Sequence, residues 1–266
     1  MSIRVCVAGA TGWAGSELAR GIAAASDLML VSGVSRSHSG KLLADVLHQP
    51  GMTASLYASA SEALVASCDV FVEYTKPASA KSNIMQALEH GAHVVVGTSG
   101  LTEQDYAEID AVARQRQRGV LACGNFALTV VLLQKFAEYA AKYLPNWEIV
   151  DYGSGTKADV PSGTVRELAL RLSQVRHPQV TIAAEKAIGP PESRGATVSG
   201  TQVHSVRLPG HVLGVDVIYG MPDQTLTLRH QAGSSARPYV DGALLAIRKV
   251  SALVGVHRGL DRVLDL

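Results

Sequence analysis

Residues Ile3 to Ala8 form a short apolar run that leads straight into Gly9-Ala10-Thr11-Gly12-Trp13-Ala14-Gly15, and this junction constrains the fold most strongly. Glu17 to Ala25 then repeats apolar residues at helical spacing, so the segment reads strand, glycine turn, helix. Glycines at such a junction leave backbone N–H groups bare at the positive end of a helix dipole, where a pyrophosphate can approach. Gly9-x-x-Gly12-x-x-Gly15 is a variant of the G-x-G-x-x-G spacing. Glycines punctuate many turns, so it is the position after a strand and before a helix that points to a dinucleotide.

In that arrangement the second strand, Leu28 to Val34, ends beside the adenosine ribose. A carboxylate there would take the 2′-hydroxyl of NADH and repel a 2′-phosphate. The chain instead reads Val34-Ser35-Arg36, a hydroxyl followed by a planar fork of donors, which predicts NADPH, with NADH as the alternative cofactor. Tyr74-Thr75-Lys76-Pro77 and Gly97-Thr98-Ser99-Gly100 each follow an apolar strand. Strand ends of this kind line the ligand crevice of a doubly wound sheet, so Tyr74, Thr75, Gly97, Thr98 and Ser99 are candidate contacts for ribose and nicotinamide.

Further apolar runs at 70–72, 93–96 and 120–122 alternate with helical stretches at 79–90 and 101–117. That alternation predicts an α/β fold whose first part is a Rossmann-type, doubly wound parallel sheet. Thr102 and Asp105 form a capping-box pattern at the second of those helices. After Asn125 the character changes. A long helix over 129–143 leads to a strand over 148–152, a glycine-rich loop and a helix over 164–172. Strands at 197–206, 214–219 and 225–230 then predict an α+β second domain with a mixed, largely open sheet. A closing helix over 238–253 fits either half.

Lys and Arg number 24 against 23 Asp and Glu, so a net charge of +1 gives no field that gathers nucleic acid or anionic lipid. A small-molecule partner is the expectation that remains. Cys6, Cys68 and Cys123 are widely spaced and odd in number, without C-x-x-C, which argues against a disulfide framework or a zinc site. Cys6 and Cys123 lie in strand-like runs and read as buried structural thiols. The opening residues run directly into a strand with no signal-peptide pattern, and no apolar run nears the roughly 20 residues that cross a bilayer. The chain is expected to be soluble and cytoplasmic.

The segment Lys157-Ala158-Asp159-Val160-Pro161-Ser162-Gly163-Thr164 precedes a helix. Bare amides in a first helical turn bind anions, and Lys157 adds a charge for a carboxylate or a proton for a reacting atom. An ordinary capped helix beside a solvated lysine would read the same way.

Taken together, the Gly9 turn, Gly97 to Gly100, Asn125-Phe126, Lys157 to Thr164 and the ending Gly259-Leu260-Asp261-Arg262-Val263-Leu264 resemble dihydrodipicolinate reductase of lysine and diaminopimelate biosynthesis. The likeness spans essentially the whole chain. Its most specific piece is Lys157 to Thr164, close to the family's K-x-D-A-P-S-G-T. The resemblance implies a dinucleotide-binding domain over 1–126 and 234–266, a substrate and oligomerisation domain over 127–233, and a homotetramer. It implies a catalytic Lys157 and a substrate carboxylate at Gly163 and Thr164, to which the reading of the turn itself adds the Ser162 amide. It further implies a cofactor site that includes Gly9, Ala10, Thr11, Gly12, Trp13, Ala14, Ser35, Arg36, Gly97, Thr98, Ser99, Asn125 and Phe126, with no metal. The activity it implies is hydride transfer to a conjugated cyclic imine or enamine that carries carboxylates.

One departure stands out. The family reads E-x-H-H-x-x-K before its lysine, and this chain reads Asp151-Tyr152-Gly153-Ser154-Gly155-Thr156-Lys157. Gly153 takes the place of the proton-transferring histidine, and Trp13 that of the usual arginine in the glycine turn. General acid catalysis contributes roughly 10²- to 10⁴-fold, so the loss bears on the chemistry. Tyr152, Ser154 and Thr156 are candidate donors; His204, His211 and His230 lie in or beside the later strands and are left without a role. Three readings stay open: reduction of the family substrate, reduction of another carboxylated acceptor, and a non-catalytic NADP(H)-binding sensor.

Overall fold

A computed structural model describes residues 2–265. The chain divides into two compact units, the first running to Leu128 and resuming at Ala236, the second holding Thr129–Ser235. The first unit opens with β1 (Ile3–Ala8), α1 (Trp13–Ala24), β2 (Leu28–Val34), α2 (Leu43–Leu47), β3 (Ser55–Tyr57) and α3 (Ala60–Ala63). It continues with β4 (Val70–Glu73), α4 (Pro77–Glu89), β5 (His93–Val96), α5 (Glu103–Gln115) and β6 (Gly119–Ala122). The second unit follows, with α6 (Leu128–Ala141), β7 (Asn146–Gly153), α7 (Gly163–Val175), β8 (Ala196–Val198), β9 (Thr201–Arg207), β10 (Leu213–Met221) and β11 (Gln224–Ala232). The chain then completes the first unit with α8 (Val240–Lys249) and β12 (Gly255–Arg258).

The first sheet has seven strands in the order β12-β6-β5-β4-β1-β2-β3. Every pairing is parallel, with Val5 opposite Val70 and Ile3 opposite Leu28. β4 and β6 are buried at every residue, which is why they read as unbroken apolar runs rather than alternating ones. Their core includes Cys6, Phe71, Ile84, Val94, Ile109 and Val120. The order reverses at β1, whose neighbours are β2 and β4, and a doubly wound sheet opens its ligand crevice at such a reversal.

Local chemistry sets the element ends. α1 begins at Trp13, ahead of the apolar period that starts at Glu17, because Gly12 is extended and serves as N-cap. The Thr102 capping box forms with Asp105, whose carboxylate accepts from the Thr102 N–H at 2.9 Å while Thr102 Oγ1 accepts the Asp105 N–H at 3.1 Å. The closing helix is shorter than its periodicity predicts, since the chain tightens into 3-10 turns on either side of it, at Arg237–Tyr239 and at Val250–Ala252. It belongs to the first unit and packs on α1, where a Cβ at Gly21 would lie 2.4 Å from Val240 Cγ1. β3 and β12 escape prediction because strands of three or four residues carry no readable period.

In the second unit five strands run β11-β10-β7-β9-β8. β7 pairs parallel with β9 and antiparallel with β10, so the sheet is mixed. Residues 197–206 are not one strand, as the sequence predicts, but a hairpin: Ser199 and Gly200 have φ of 47° and 82°. Positive φ at both central residues is the geometry that turns a two-residue hairpin. β7 alternates strictly, with Trp147, Ile149, Asp151 and Gly153 buried. Trp147 and Ile149 join Leu133, Val165, Leu168 and Tyr219 in the core.

Candidate active site

Gly9 and Gly15 are required by close approach. Gly9 has φ of 81°, and a Cβ there would stand 2.4 Å from the Tyr74 carbonyl oxygen; at Gly15 it would stand 2.1 Å from the Gly9 oxygen. Gly12 caps α1 without a side chain and donates its N–H to Gly9 O at 2.9 Å. The first-turn amides therefore face outward without a capping side chain, a cradle that fits a pyrophosphate. Ala10 is buried beneath it. Thr11 Oγ1 lies 2.7 Å from Ser35 Oγ, which ties the turn to the end of β2. Arg36 follows Ser35 on an exposed 3-10 turn together with His38, whose Nδ1 lies 3.3 Å from Ser35 Oγ. His38 carries no sequence signal of its own; only the turn brings it there.

A cavity of about 290 Å³ gathers the expected residues Trp13, Ala14, Tyr74, Thr75, Gly97, Thr98, Ser99, Asn125 and Phe126, and adds Cys123, Gly124, Pro77 and Tyr239. Gly9, Ala10, Thr11, Gly12, Ser35 and Arg36 do not line this cavity. The Tyr74 ring covers Gly97, where a Cβ would fall 1.7 Å from its Cε1, and meets Phe126 edge-on at 5.7 Å. Trp13 meets Tyr239 in the same way at 5.7 Å and remains 61% exposed. Burial pushes the Tyr74 hydroxyl and the Cys123 thiol well above their ordinary pKa ranges. Beneath the wall Glu73 accepts hydrogen bonds from the Thr75 N–H at 2.7 Å, from Thr75 Oγ1, from Asn83 Nδ2 at 2.8 Å and from Thr98 Oγ1 at 3.2 Å. Burial raises its carboxyl above the usual range, against the pull of those donors.

The other candidates lie in the second unit, on the loop between β7 and α7. Ser162 caps α7, its Oγ accepting from the Val165 N–H at 3.4 Å. Its own backbone N–H, which the sequence places in an anion turn, is donated to Asp151 Oδ2 at 2.8 Å and is buried. Gly163 and Thr164 then supply the next amides of the helix. Lys157 Nζ reaches Asp159 Oδ1 at 2.7 Å, and this cation holds the Asp159 carboxyl below the carboxylate range.

Asp151 and Arg207 organise this loop, and no sequence pattern singles out either for that task. Arg207 Nη2 donates to Asp151 Oδ2 at 2.6 Å and to Asp159 O at 2.8 Å, while its Nη1 donates to Asp151 O at 3.1 Å. The space above Gly153 is occupied: a Cβ there would meet Lys157 Cδ at 2.8 Å and Arg207 Nε at 3.1 Å. Tyr152 points to the opposite face of the strand and donates its hydroxyl to Asp216 at 3.1 Å, so it does not join Lys157. Ser154 and Thr156 hydroxyls lie 3.2 Å from each other. Among the three histidines, His204 Nε2 lies 2.6 Å from Glu148, His211 stacks by Tyr152 at 5.1 Å, and His230 is buried with its pKa lowered by that burial. None bonds to the Lys157 loop.

A parallel sheet with an uncapped glycine turn at its reversal point, joined in one chain to a mixed-sheet unit bearing a lysine and a helix N-terminus, defines a dinucleotide-dependent oxidoreductase. Residues 3–126 match the family "Dihydrodipicolinate reductase, N-terminus" and residues 129–264 its C-terminal counterpart. The chain belongs to the dihydrodipicolinate reductase family, whose members are NAD(P)H-dependent reductases. It is 35% identical to the 4-hydroxy-tetrahydrodipicolinate reductase of Bacillus pumilus (strain SAFR-032) over 271 residues, covering 99% of this chain and 98% of that one. It is 36% identical to the enzyme of the same name from Moorella thermoacetica over 266 residues, with 99% and 98% covered. The solved structure of dipicolinate-bound dihydrodipicolinate reductase from Paenisporosarcina sp. TG-14 superposes with a TM-score of 0.88 at 27% identity, covering 99% of this chain and all of that one.

Proposed function

We propose that this chain is an NADPH-dependent reductase of a cyclic imine dicarboxylate of the 4-hydroxy-tetrahydrodipicolinate type, working in the cytoplasm in lysine and diaminopimelate biosynthesis. The observation that carries the reading is the presence in one chain of an uncapped Gly9–Gly15 cradle in the first unit and the Lys157 and Gly163-Thr164 loop in the second. Gly9 to Ala14 hold the pyrophosphate, Ser35 and Arg36 the 2′-phosphate, and Tyr74, Thr75, Gly97, Thr98, Ser99, Asn125 and Phe126 the nicotinamide end. The cofactor supplies hydride. Gly163 and Thr164 amides bind a substrate carboxylate, with Ser162 fixing the turn, and Lys157 is the proton source.

The space above Gly153, filled by Arg207 and Lys157, favours a second reading within the same class, an acceptor whose reduction does not depend on an imidazole acid. NADPH oxidation followed with the family substrate generated in situ, and then with other cyclic imino acids, separates the two. Turnover of the first alone supports the biosynthetic reading; turnover only of the others replaces it, and NADPH binding without turnover of any leaves a sensor. Val180, Ile182, Ile188, Ile218 and Leu226 are exposed apolar side chains of the second unit. They support a homotetramer formed through this unit, which sedimentation tests directly.

A further inference from the structure

Glu73 ends β4 with no solvent exposure at all. Its four hydrogen-bond donors are neutral groups, the Thr75 N–H and hydroxyl, the Thr98 hydroxyl and the Asn83 amide. The Thr75 N–H and the Asn83 amide can only donate, so each carboxylate oxygen faces an obligate donor, while a buried anion without a counter-cation is costly and gains from any cation brought near. Two of its donors, Thr75 and Thr98, are themselves walls of the 290 Å³ cavity. The carboxylate thus sits one hydroxyl behind the cavity surface.

We propose that Glu73 makes this pocket prefer the cationic, oxidised nicotinamide ring over the neutral, reduced one. The inference rests on the reading that the cavity takes the nicotinamide end of the cofactor. Loss of a hydride, one proton with two electrons, leaves that ring with a single positive charge, while the acceptor gains the hydride at carbon and a proton at the neighbouring atom. Glu73 touches neither reactant. It acts through its field, with Thr75 and Thr98 holding the carboxylate in place, and it favours hydride donation by stabilising the charge that donation creates.

The dissociation constants of NADP⁺ and NADPH, measured separately on the whole protein, test this. In Glu73→Gln, which keeps the shape and removes the charge, NADP⁺ is expected to weaken about tenfold relative to NADPH, the order expected for one charge several ångströms away in a partly polarisable interior. Glu73→Asp, which keeps the charge, is expected to leave the ratio within about threefold of wild type. Equal weakening of both cofactors by Glu73→Gln overturns the proposal and makes Glu73 a scaffold only. Should that variant lose its fold, the wild type decides alone: NADP⁺ bound more tightly than NADPH supports the proposal, and NADPH bound equally or more tightly overturns it. A wild-type protein that binds neither cofactor refutes the cavity assignment itself, which is a different failure.

Discussion

Arg207 lies over Gly153: its Nε would stand 3.1 Å from a Cβ built on that glycine, and its guanidinium continues to Asp151 Oδ2 at 2.6 Å. The two residues are far apart in sequence but adjacent through the parallel pairing of β7 and β9, where Gly153 is opposite Arg207. A permanently charged side chain thus occupies space beside Lys157 that an imidazole would need. Gly153 and the position of Arg207 form one packing solution.

Gly153→His is therefore expected to destabilise rather than simply return an acid to the site. Overpacking beside a bound guanidinium costs roughly 1–3 kcal/mol, read as a lower melting temperature. In the wild type, the pH profile of kcat/KM is expected to show no limb at the ordinary imidazole pKa of about 6.5 from this loop. A limb there that disappears on replacement of His204, His211 or His230 would contradict the assignment.

Asp151→Ala leaves Arg207 without its carboxylate and the Ser162 amide without its acceptor. Breaking a buried pair from one side costs about 3 kcal/mol or more, measured by urea denaturation. Substrate KM is expected to rise as well, since the turn before α7 loses its anchor. An unchanged midpoint would show that Asp151 holds nothing.

Lys157→Ala is expected to lower kcat by about 10²-fold or more while NADPH affinity stays within about twofold. Lys157 and the Gly9–Gly15 turn belong to different units, so binding and chemistry are expected to separate in this variant. Wild-type turnover removes Lys157 from the mechanism.

Arg36→Ala is expected to weaken NADPH about tenfold and leave NADH nearly unaffected, because only NADPH carries the 2′-phosphate. Equal effects on the two cofactors would sink that assignment.

The Thr102 amide and hydroxyl, with Lys81, hold the Asp105 carboxyl down at about 2. A depressed carboxyl pKa adds stability above the unfolded value of about 3.9, and that contribution is lost as pH falls toward about 2. Asp105→Asn is expected to flatten the stability profile between about pH 4 and 2, followed by thermal melts across that window.

The first unit is legible in the sequence because its signals are local. A glycine turn after an apolar strand, a capping box at Thr102 and unbroken apolar runs each depend on neighbours within a few residues, and each specifies its own geometry. The same holds for the Ser162 N-cap. Glu73, Asp151, Arg207, His38 and Tyr239 give no such signal, because their roles depend on partners brought together by strand pairing and chain return. Sequence alone determined the fold class, the glycine turn after β1 and the family. Tertiary structure decided what fills the space above Gly153, where the Ser162 amide is directed and which carboxylate lies behind the cavity wall. Those outcomes depend on side-chain packing and buried hydrogen bonds between distant segments, which local sequence patterns do not encode.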